Sequence, residues 1–393
     1  MASGTLIGLH VALGGLTAVS CALQLWQWRL GRRFPVNQRR PVPLSLPAIS
    51  VLKPLRGADD ETERCLASWF LQDYPAPFQL LFAVESASDP AFKIVERLRK
   101  RFPNVEAKLL VCTDPVGTNG KVSKLVALEE AALHEVIVAS DADVEAPPDL
   151  LVQLAAHLAD DDVGLVNCFY RLANASTPAL RWEAIAINSD FWAQVLQSSA
   201  LKPMDFALGA VTCLRRSDLA AVGGYEALAD HLADDYQLGQ RIVDQGRSVR
   251  ICPVVVGCRE PRQGWKEVWS HQLRWARTIR GCQPLPYLCS ILSNVTLWSL
   301  LWIIATFPFG WGVAQALALF AIAARICSAI TLHQRLSPET ASWRDDWLVV
   351  VKDLLGAAIW AGAFLGNTVQ WRGLRYRVVA GGELRPMDRS HRL

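Results

Sequence analysis

The ten cysteines of this 393-residue chain contain no Cys-x-x-Cys pair, so the sequence offers neither a zinc site nor a disulfide framework. Scattered mostly through apolar runs, they read as reduced, buried thiols of a cytoplasmic domain. A strong excess of charge is lacking too. Forty basic and 37 acidic side chains leave a net charge of +3, too little to argue for nucleic acid, and no basic stripe with interleaved aromatics occurs. No Gly-x-Gly-x-x-Gly follows the first strand-like run, where Pro54-Leu55-Arg56-Gly57 stands instead, and there is no Walker A loop. A dinucleotide-dependent dehydrogenase and a P-loop ATPase are therefore poorly supported. Internal repeats and low-complexity tracts are absent as well.

Long uncharged runs are what the chain does have. Met1 to Trp28 carries no Asp, Glu, Lys or Arg, and is followed by Arg29, Arg32, Arg33, Arg39 and Arg40. A cleaved signal peptide carries its positive charge before the apolar stretch, so this order fits an uncleaved anchor with the basic segment in the cytoplasm. Gly281 to Ala324 is also uncharged and long enough for two spans, with Phe307-Pro308-Phe309-Gly310 as the natural break. A third apolar segment, Trp347 to Trp371, holds Lys352 and Asp353 near its start. The tail beyond it carries Arg372, Arg375, Arg377, Arg385, Arg389 and Arg392 and no lysine, a loading expected on the inside. Three full spans after a cytoplasmic domain would put that tail outside. One segment is then re-entrant or interfacial, and the embedded charges single out the last.

Between the anchors the pattern alternates short β-rich runs with amphipathic stretches. Strands are expected at Ala48–Lys53, Phe78–Val84, Ala107–Cys112, Val163–Tyr170 and Ala210–Leu214. Helices are expected at Glu61–Leu71, Asp89–Arg101, Lys121–Leu133 and Ala233–Gln245. This βαβα order predicts a parallel sheet covered by helices on both faces. The run Val-Ile-Val-Ala-Ser-Asp-Ala-Asp-Val that ends at Val144 is the most informative of them. It reads as a buried strand delivering Asp141 and Asp143 to its carboxyl end, where α/β sheets place their ligand crevices. Two carboxylates one residue apart suit a hard divalent cation whose shell is completed by water and substrate phosphates. A bare Asp-x-Asp is common in solvated loops; its position at a strand end favours the functional reading.

A second acidic cluster, Asp230-His231-Leu232-Ala233-Asp234-Asp235-Tyr236, opens a helix. Capping needs one carboxylate, so two adjacent ones leave another free to act as a general base. His271-Gln272-Leu273-Arg274-Trp275, with Arg277 and Arg280 behind it, reads either as a lipid-headgroup anchor or as a partner for a diphosphate leaving group. Asp89 could reach a base or ribose, although capping of the next helix explains it about as well. Lys121 after Asn119-Gly120 could meet a phosphate or simply be solvated. The segment Ala184 to Phe206, with Phe191 and Trp192, suggests an interfacial lid or acceptor wall, or plain packing. His10, His134, His157 and His333 show no ligand spacing.

In order and spacing the chain resembles the GT-A glycosyltransferases of the ceramide glucosyltransferase family. The resemblance rests on Val51-Leu52-Lys53-Pro54-Leu55-Arg56-Gly57, Gln72-Asp73-Tyr74-Pro75, Ser88-Asp89-Pro90-Ala91 and Gly117-Thr118-Asn119-Gly120-Lys121. It continues through Ser140-Asp141-Ala142-Asp143, Ala233-Asp234-Asp235-Tyr236, Arg274-Trp275 and Trp371-Arg372-Gly373-Leu374-Arg375-Tyr376-Arg377. Leu165 to Arg171 and Arg274 to Arg280 also resemble bacterial hopanoid glycosyltransferases of the HpnI type.

The resemblance implies an α/β GT-A domain, a Rossmann-like nucleotide-diphospho-sugar transferase, with flanking transmembrane helices. It implies a UDP-sugar donor lined by Lys53, Asp89, Lys121 and Asp141. It further implies Mn²⁺ or Mg²⁺ on Asp141 and Asp143, Asp235 as general base, and Arg274 with Trp275 in the closing Gln/Arg-x-x-Arg-Trp motif. His271 departs from that motif's first position, which puts a role for that side chain in doubt.

The organisation expected is an anchor over 1–28, a basic linker over 29–47, a cytoplasmic catalytic domain over 48–280, two or three membrane segments over 281–371 and a basic cytoplasmic tail over 372–393. The function expected is inverting transfer of a hexose from a UDP-sugar to a membrane lipid hydroxyl, UDP-glucose to ceramide foremost, in a bacterial inner membrane. UDP-N-acetylglucosamine to a hopanoid is the alternative within the family. A processive polysaccharide synthase would need more membrane helices than this chain offers. A non-catalytic membrane adaptor would bind nucleotide without transfer.

Overall fold

The computed structural model describes residues 2–309, 312–371 and 374–387. The chain forms two compact units, each assembled from separate stretches of sequence: a sheet unit of residues 35–174, 202–261 and 371–393, and a helical unit of residues 1–34, 175–201 and 262–370.

The sheet unit is built on eight strands: β1 Ile49–Pro54, β2 Phe78–Val84, β3 Glu106–Val111, β4 Val136–Ser140, β5 Val144–Glu145, β6 Val163–Leu172, β7 Val211–Arg215 and β8 Ser248–Cys258. Their order is β3-β2-β1-β4-β7-β6-β8-β5. The first four run parallel, as the alternation predicts. The all-parallel expectation fails beyond them, because β7 is antiparallel to both β4 and β6. The sheet is mixed. A parallel β6-to-β7 step would require the chain to return to the starting edge. Here it leaves after β6 through the helical stretch 175–201 and re-enters at the same end of the sheet by which it left.

Burial follows the period of two. Ile49, Val51, Leu80, Phe82, Val84, Val136 and Val138 pack on one face, beside the helices Thr62–Phe70, Pro90–Arg101 and Leu150–Leu158. Leu52, Leu81, Ala83, Ile137 and Ala139 pack on the other, beside the helix Gly120–Ala131. Strands covered on both faces carry apolar residues at every position, which is why these runs are continuous rather than alternating. Truncating Phe82, fully buried, would cost about 3–5 kcal/mol. β8 has no counterpart in the expected elements. Its Pro253 argues against a central strand, yet β8 lies between β6 and β5. The ladder with β6 shifts register between Cys168 and Tyr170, beside that proline, and the Pro253 carbonyl instead accepts the Asn37 amide at 2.8 Å. The ten cysteines are all free.

In the helical unit, Ile7–Arg33 and Val313–Leu336 are long and apolar enough to cross a membrane, with mean hydropathies of 1.5 and 1.9. A bent pair, Pro284–Ser293 and Val295–Thr306, reaches the same measure if taken as one span, with a 54° break. The break falls at Asn294, whose side chain caps the second helix by accepting from the Leu297 amide at 3.0 Å. The chain turns again at Phe307–Phe309, where the sequence marks a break; Gly310 lies outside the described residues. Leu348–Phe364 is shorter, 17 residues. Small residues let these helices approach closely: a Cβ on Gly31 would stand 2.5 Å from Leu332 and 3.0 Å from Trp192.

The helix Val313–Leu336 runs straight through Arg325, the residue that closes the uncharged stretch in the sequence. Its guanidinium is neutralised from two sides. It donates to Asp190 Oδ2 at 2.7 Å and to Asp353 at 2.8 and 3.0 Å. Lys352 also pairs with both acids, and Thr296 donates to Asp353 at 2.5 Å. Asp190 lies in a π-helical segment, Ala186–Phe191, between the helices Pro178–Ile185 and Trp192–Leu201. Two cations and two anions thus share one buried cluster, the arrangement that lets charge reside among apolar helices.

Candidate active site

β4 ends at Ser140, and the chain turns at once. The Asp141 amide donates to the Ala210 carbonyl at 3.2 Å, and the Asp143 carbonyl accepts the Arg259 amide at 3.0 Å. Trp69 Nε1 donates to the Val144 carbonyl at 3.1 Å. Arg259 ties Glu145 and Glu61 together beside the turn, at 2.5 and 3.0 Å. The two aspartates therefore project from a backbone fixed on several sides, as a site needs.

Lys53, on the neighbouring β1, is fully buried. Its ammonium lies 4.7 Å from the Trp69 ring centroid, 3.2 Å from Ser140 Oγ and against the Asp141 carbonyl. Burial lowers it to about 8, while Asp143 and Asp141 act in the opposite direction. Lys121 opens the helix Gly120–Ala131, capped by Asn119, whose carboxamide oxygen accepts from the Lys121 and Val122 amides at 2.9 and 3.2 Å. The same Asn119 donates to the His231 carbonyl at 2.7 Å, and the Thr118 amide donates to Asp230 at 2.9 Å. Two loops more than a hundred residues apart are laced together in this way.

That lacing brings the acids into one place. Lys121 Nζ stands 2.8 Å from Asp141 Oδ1 and 3.1 Å from Asp234 Oδ2. Burial alone would lower the Lys121 ammonium, but Asp141, Asp234 and Asp235 outweigh it and hold it above the usual lysine value. Asp143 is lifted to about 6, first by burial and then by Asp141. Asp235 is lifted to about 7, first by burial and then by Asp234. A small cavity, with room for about one water molecule, is lined by Lys121, Ser140, Gly209, Tyr225, Asp234 and Asp235 among others. Gly209 faces Asp235 directly, since a Cβ there would lie 2.8 Å from Oδ2.

Of the residues singled out in the sequence, Lys53, Lys121, Asp141, Asp143 and Asp235 gather here. Asp89 is committed elsewhere. It caps the helix Pro90–Arg101 through the Ala91 amide at 2.9 Å and accepts the Gly57 amide at 3.0 Å. Arg274 and Trp275 belong to the helical unit, on the helix Trp265–Cys282. There His271 stacks edge-on against Trp275, with ring centroids 4.6 Å apart, and its Nδ1 lies 2.8 Å from Glu183. Gln272 donates to the same Glu183 oxygen at 2.8 Å. Buried Glu183 and half-buried Gly209 sit in no patterned string, and Tyr225 ends Val222-Gly223-Gly224-Tyr225, which reads in the sequence only as a turn signal ahead of the second acidic cluster. Asn119 was findable, as an Asn immediately ahead of a helix.

Four carboxylates face two ammonium groups in this site. The negative excess and the all-oxygen donor set fit a hard divalent cation. Among the described residues no group of three or more His, Cys, Asp or Glu side chains is placed to hold a metal.

Residues 12–384 match the model of glycosyl transferase family 21. The chain belongs to glycosyl transferase family 21. As a family 21 member it is a UDP-sugar-dependent glycosyltransferase. It is 23% identical to ceramide glucosyltransferase 1 of Caenorhabditis elegans over 358 residues, which is 89% of this chain and 75% of that protein. To the ceramide glucosyltransferase of Komagataella phaffii it is 30% identical over 146 residues, 33% of this chain and 28% of the relative. Among solved structures, it is similar to the mannosyltransferase PcManGT of Pyrobaculum calidifontis, determined in complex with GDP-Man and Mn²⁺. The TM-score is 0.53 at 21% identity, over 89% of this chain and 99% of that one. The likeness shows the fold: the family 21 chain has the mixed α/β sheet of GT-A glycosyltransferases.

Proposed function

We propose that this family 21 enzyme transfers a hexose, with inversion, from a UDP-sugar to the hydroxyl of a membrane lipid, and that the pair is UDP-glucose and ceramide. The observation that carries the reading is Asp235: a carboxylate in the cavity wall, its carboxyl lifted to about 7, beside an Asp234 that Lys121 already holds. A base with a value near the working pH gains most from proton transfer. Asp235 takes the proton of the lipid hydroxyl as that oxygen attacks the anomeric carbon from the face opposite the diphosphate. Lys121 and Lys53 lie along the Asp141 side and offset phosphate charge. Asp141 and Asp143 would hold Mn²⁺ or Mg²⁺, which when bound neutralises charge on the departing diphosphate. Asp89 at the nucleotide side, and Arg274 with Trp275 for the leaving group and acceptor, keep the roles that the family motif implies.

The lipid acceptor is supported by the apolar helices and by the relatives named ceramide glucosyltransferases. The arginines that follow the first span support a cytoplasmic catalytic side in a bacterial inner membrane.

The test is to incubate membranes holding the protein with a panel of UDP-sugars and of lipids, ceramide and hopanoid included, and to identify the glycolipid by mass. Glucosylceramide is expected. Water-soluble polymer as the sole product would overturn the lipid acceptor. Transfer by Asp235→Asn at the wild-type rate would overturn the base.

A further inference from the structure

The segment that follows the last helix returns to the acid pair of the sheet unit. Leu374–Val378 and Leu384–Pro386 form an antiparallel hairpin whose turn holds Gly381 and Gly382 at φ of 77° and 78°. That turn lies on the loop leading into Asp234 and Asp235. The Leu232 amide donates to the Gly382 carbonyl at 3.1 Å, and His231 and Glu383 form an antiparallel bridge. One turn into the helix Asp234–Asp244, Gln237 Nε2 donates to the Gly381 carbonyl at 2.7 Å. Tyr376, buried, points its hydroxyl at the Thr118 carbonyl, 3.5 Å away, in the loop that precedes Lys121. The strap thus engages both loops that Asn119 and Asp230 already lace together.

We propose that residues 376–383 form a C-terminal strap that positions Asp235 for the transfer, with Gln237 and Gly382 as its positioning residues. The chemistry favours positioning over mere coverage. An aspartate base must stand within hydrogen-bond reach of the acceptor oxygen, and a displacement near 1 Å costs up to about a hundred-fold in rate. Asp235 sits at the first turn of its helix, where backbone amides have no intrahelical partners, so the entry angle of that turn depends on what holds residues 231–237. The strap supplies two of those holds: the Gly382 carbonyl, which accepts the Leu232 amide within the His231–Glu383 bridge, and the Gly381 carbonyl, which accepts Gln237. Gly381 and Gly382 adopt the left-handed conformation that a β-branched residue resists, so the turn that presents both carbonyls is fixed by sequence.

The inference rests on Asp235 being the base, and the experiment separates the two. In full-length protein in detergent micelles, Gln237→Ala and Gly382→Val should each lower kcat on the order of ten-fold. Donor KM, UDP binding by calorimetry and the thermal midpoint should stay at wild-type values. Gln237→Lys, which keeps a donor toward Gly381, should restore most of kcat. A kcat within two-fold of wild type in both variants overturns the strap. So does a loss of kcat matched by equal losses of UDP binding and thermal midpoint, which would mark the segment as general support for the fold. Asp235→Asn, run alongside, fails or holds on its own: wild-type transfer there sinks the base, whereas inactivity there with active strap variants sinks only the strap.

Discussion

Lys121 and Asp234 form an ion pair of 3.1 Å between side chains 113 positions apart, and the same ammonium reaches Asp141 at 2.8 Å. One cation therefore joins the acids at the end of β4 to the acids at the start of the helix Asp234–Asp244. It also decides which of two adjacent carboxylates is free, because Asp234 is held and Asp235 faces the cavity.

Removing that cation should be costly twice. Lys121→Met leaves largely buried Asp234 without its counter-charge, so a stability loss of about 3–5 kcal/mol is expected, read by chemical denaturation in micelles. Transfer should fall below detection in the same variant. A Lys121→Met protein as stable as wild type would show that the pair contributes nothing to the fold.

The Asp235 carboxyl has a sign that can be checked. Its native value, about 7, lies above the ordinary aspartate value near 4, so between those two values the folded chain binds more protons than the unfolded one. Stability contributed by this group must then fall as pH rises from about 4 to about 7. Denaturation in chelator across that range should show the decline, and Asp235→Asn should flatten it. In the proposed role the ionised form is the active one, so kcat/KM should drop on the acid side of neutrality.

The buried cluster in the helical unit makes a sharper demand. Arg325→Ala would leave Asp190 and Asp353 facing only Lys352, and a loss of about 3–5 kcal/mol is expected for one missing partner of a buried ion group. Thermal midpoint by tryptophan fluorescence is the measurement. An unchanged midpoint would mean that water reaches the cluster.

Asp89 separates capping from chemistry. Asp89→Ala should cost about 1 kcal/mol through the lost cap, and Asp89→Asn should recover most of it, since Asn caps nearly as well. Parallel titration with UDP checks the nucleotide-side role that the family motif implies: Asn that restores the midpoint but not UDP affinity supports it, and Asn that restores both argues for a cap alone.

The parts of this molecule legible in the sequence are those fixed by local pattern. Phe78–Val84 has the bounds its apolar run predicts, and Asp141 and Asp143 stand where a buried strand runs out. What escaped depends on residues distant in sequence. The direction of β7 is set by the path through residues 175–201, and no five-residue run encodes it. β8 carries Pro253, whose local message is true of most strands and is answered here by a register shift and by Asn37. Arg325 looked like the end of a span because its counter-ions lie 135 residues before and 28 residues after it. Lys121 reads in the sequence equally well as a phosphate ligand or a solvated side chain, because its partner Asp234 lies 113 positions away.

That spacing around Arg325 also has a bearing on biogenesis. A ribosome makes Asp190 long before Arg325 and Asp353 only afterwards. When the helix Val313–Leu336 first leaves the ribosome, its guanidinium has a single one of its two carboxylate partners available. The helix can settle among its apolar neighbours with full charge balance only once Leu348–Phe364 has followed. The last helix thus carries the carboxylate that completes the charge balance of an earlier one, so a chain cut short before Leu348 should leave Arg325 with Asp190 as its sole carboxylate partner.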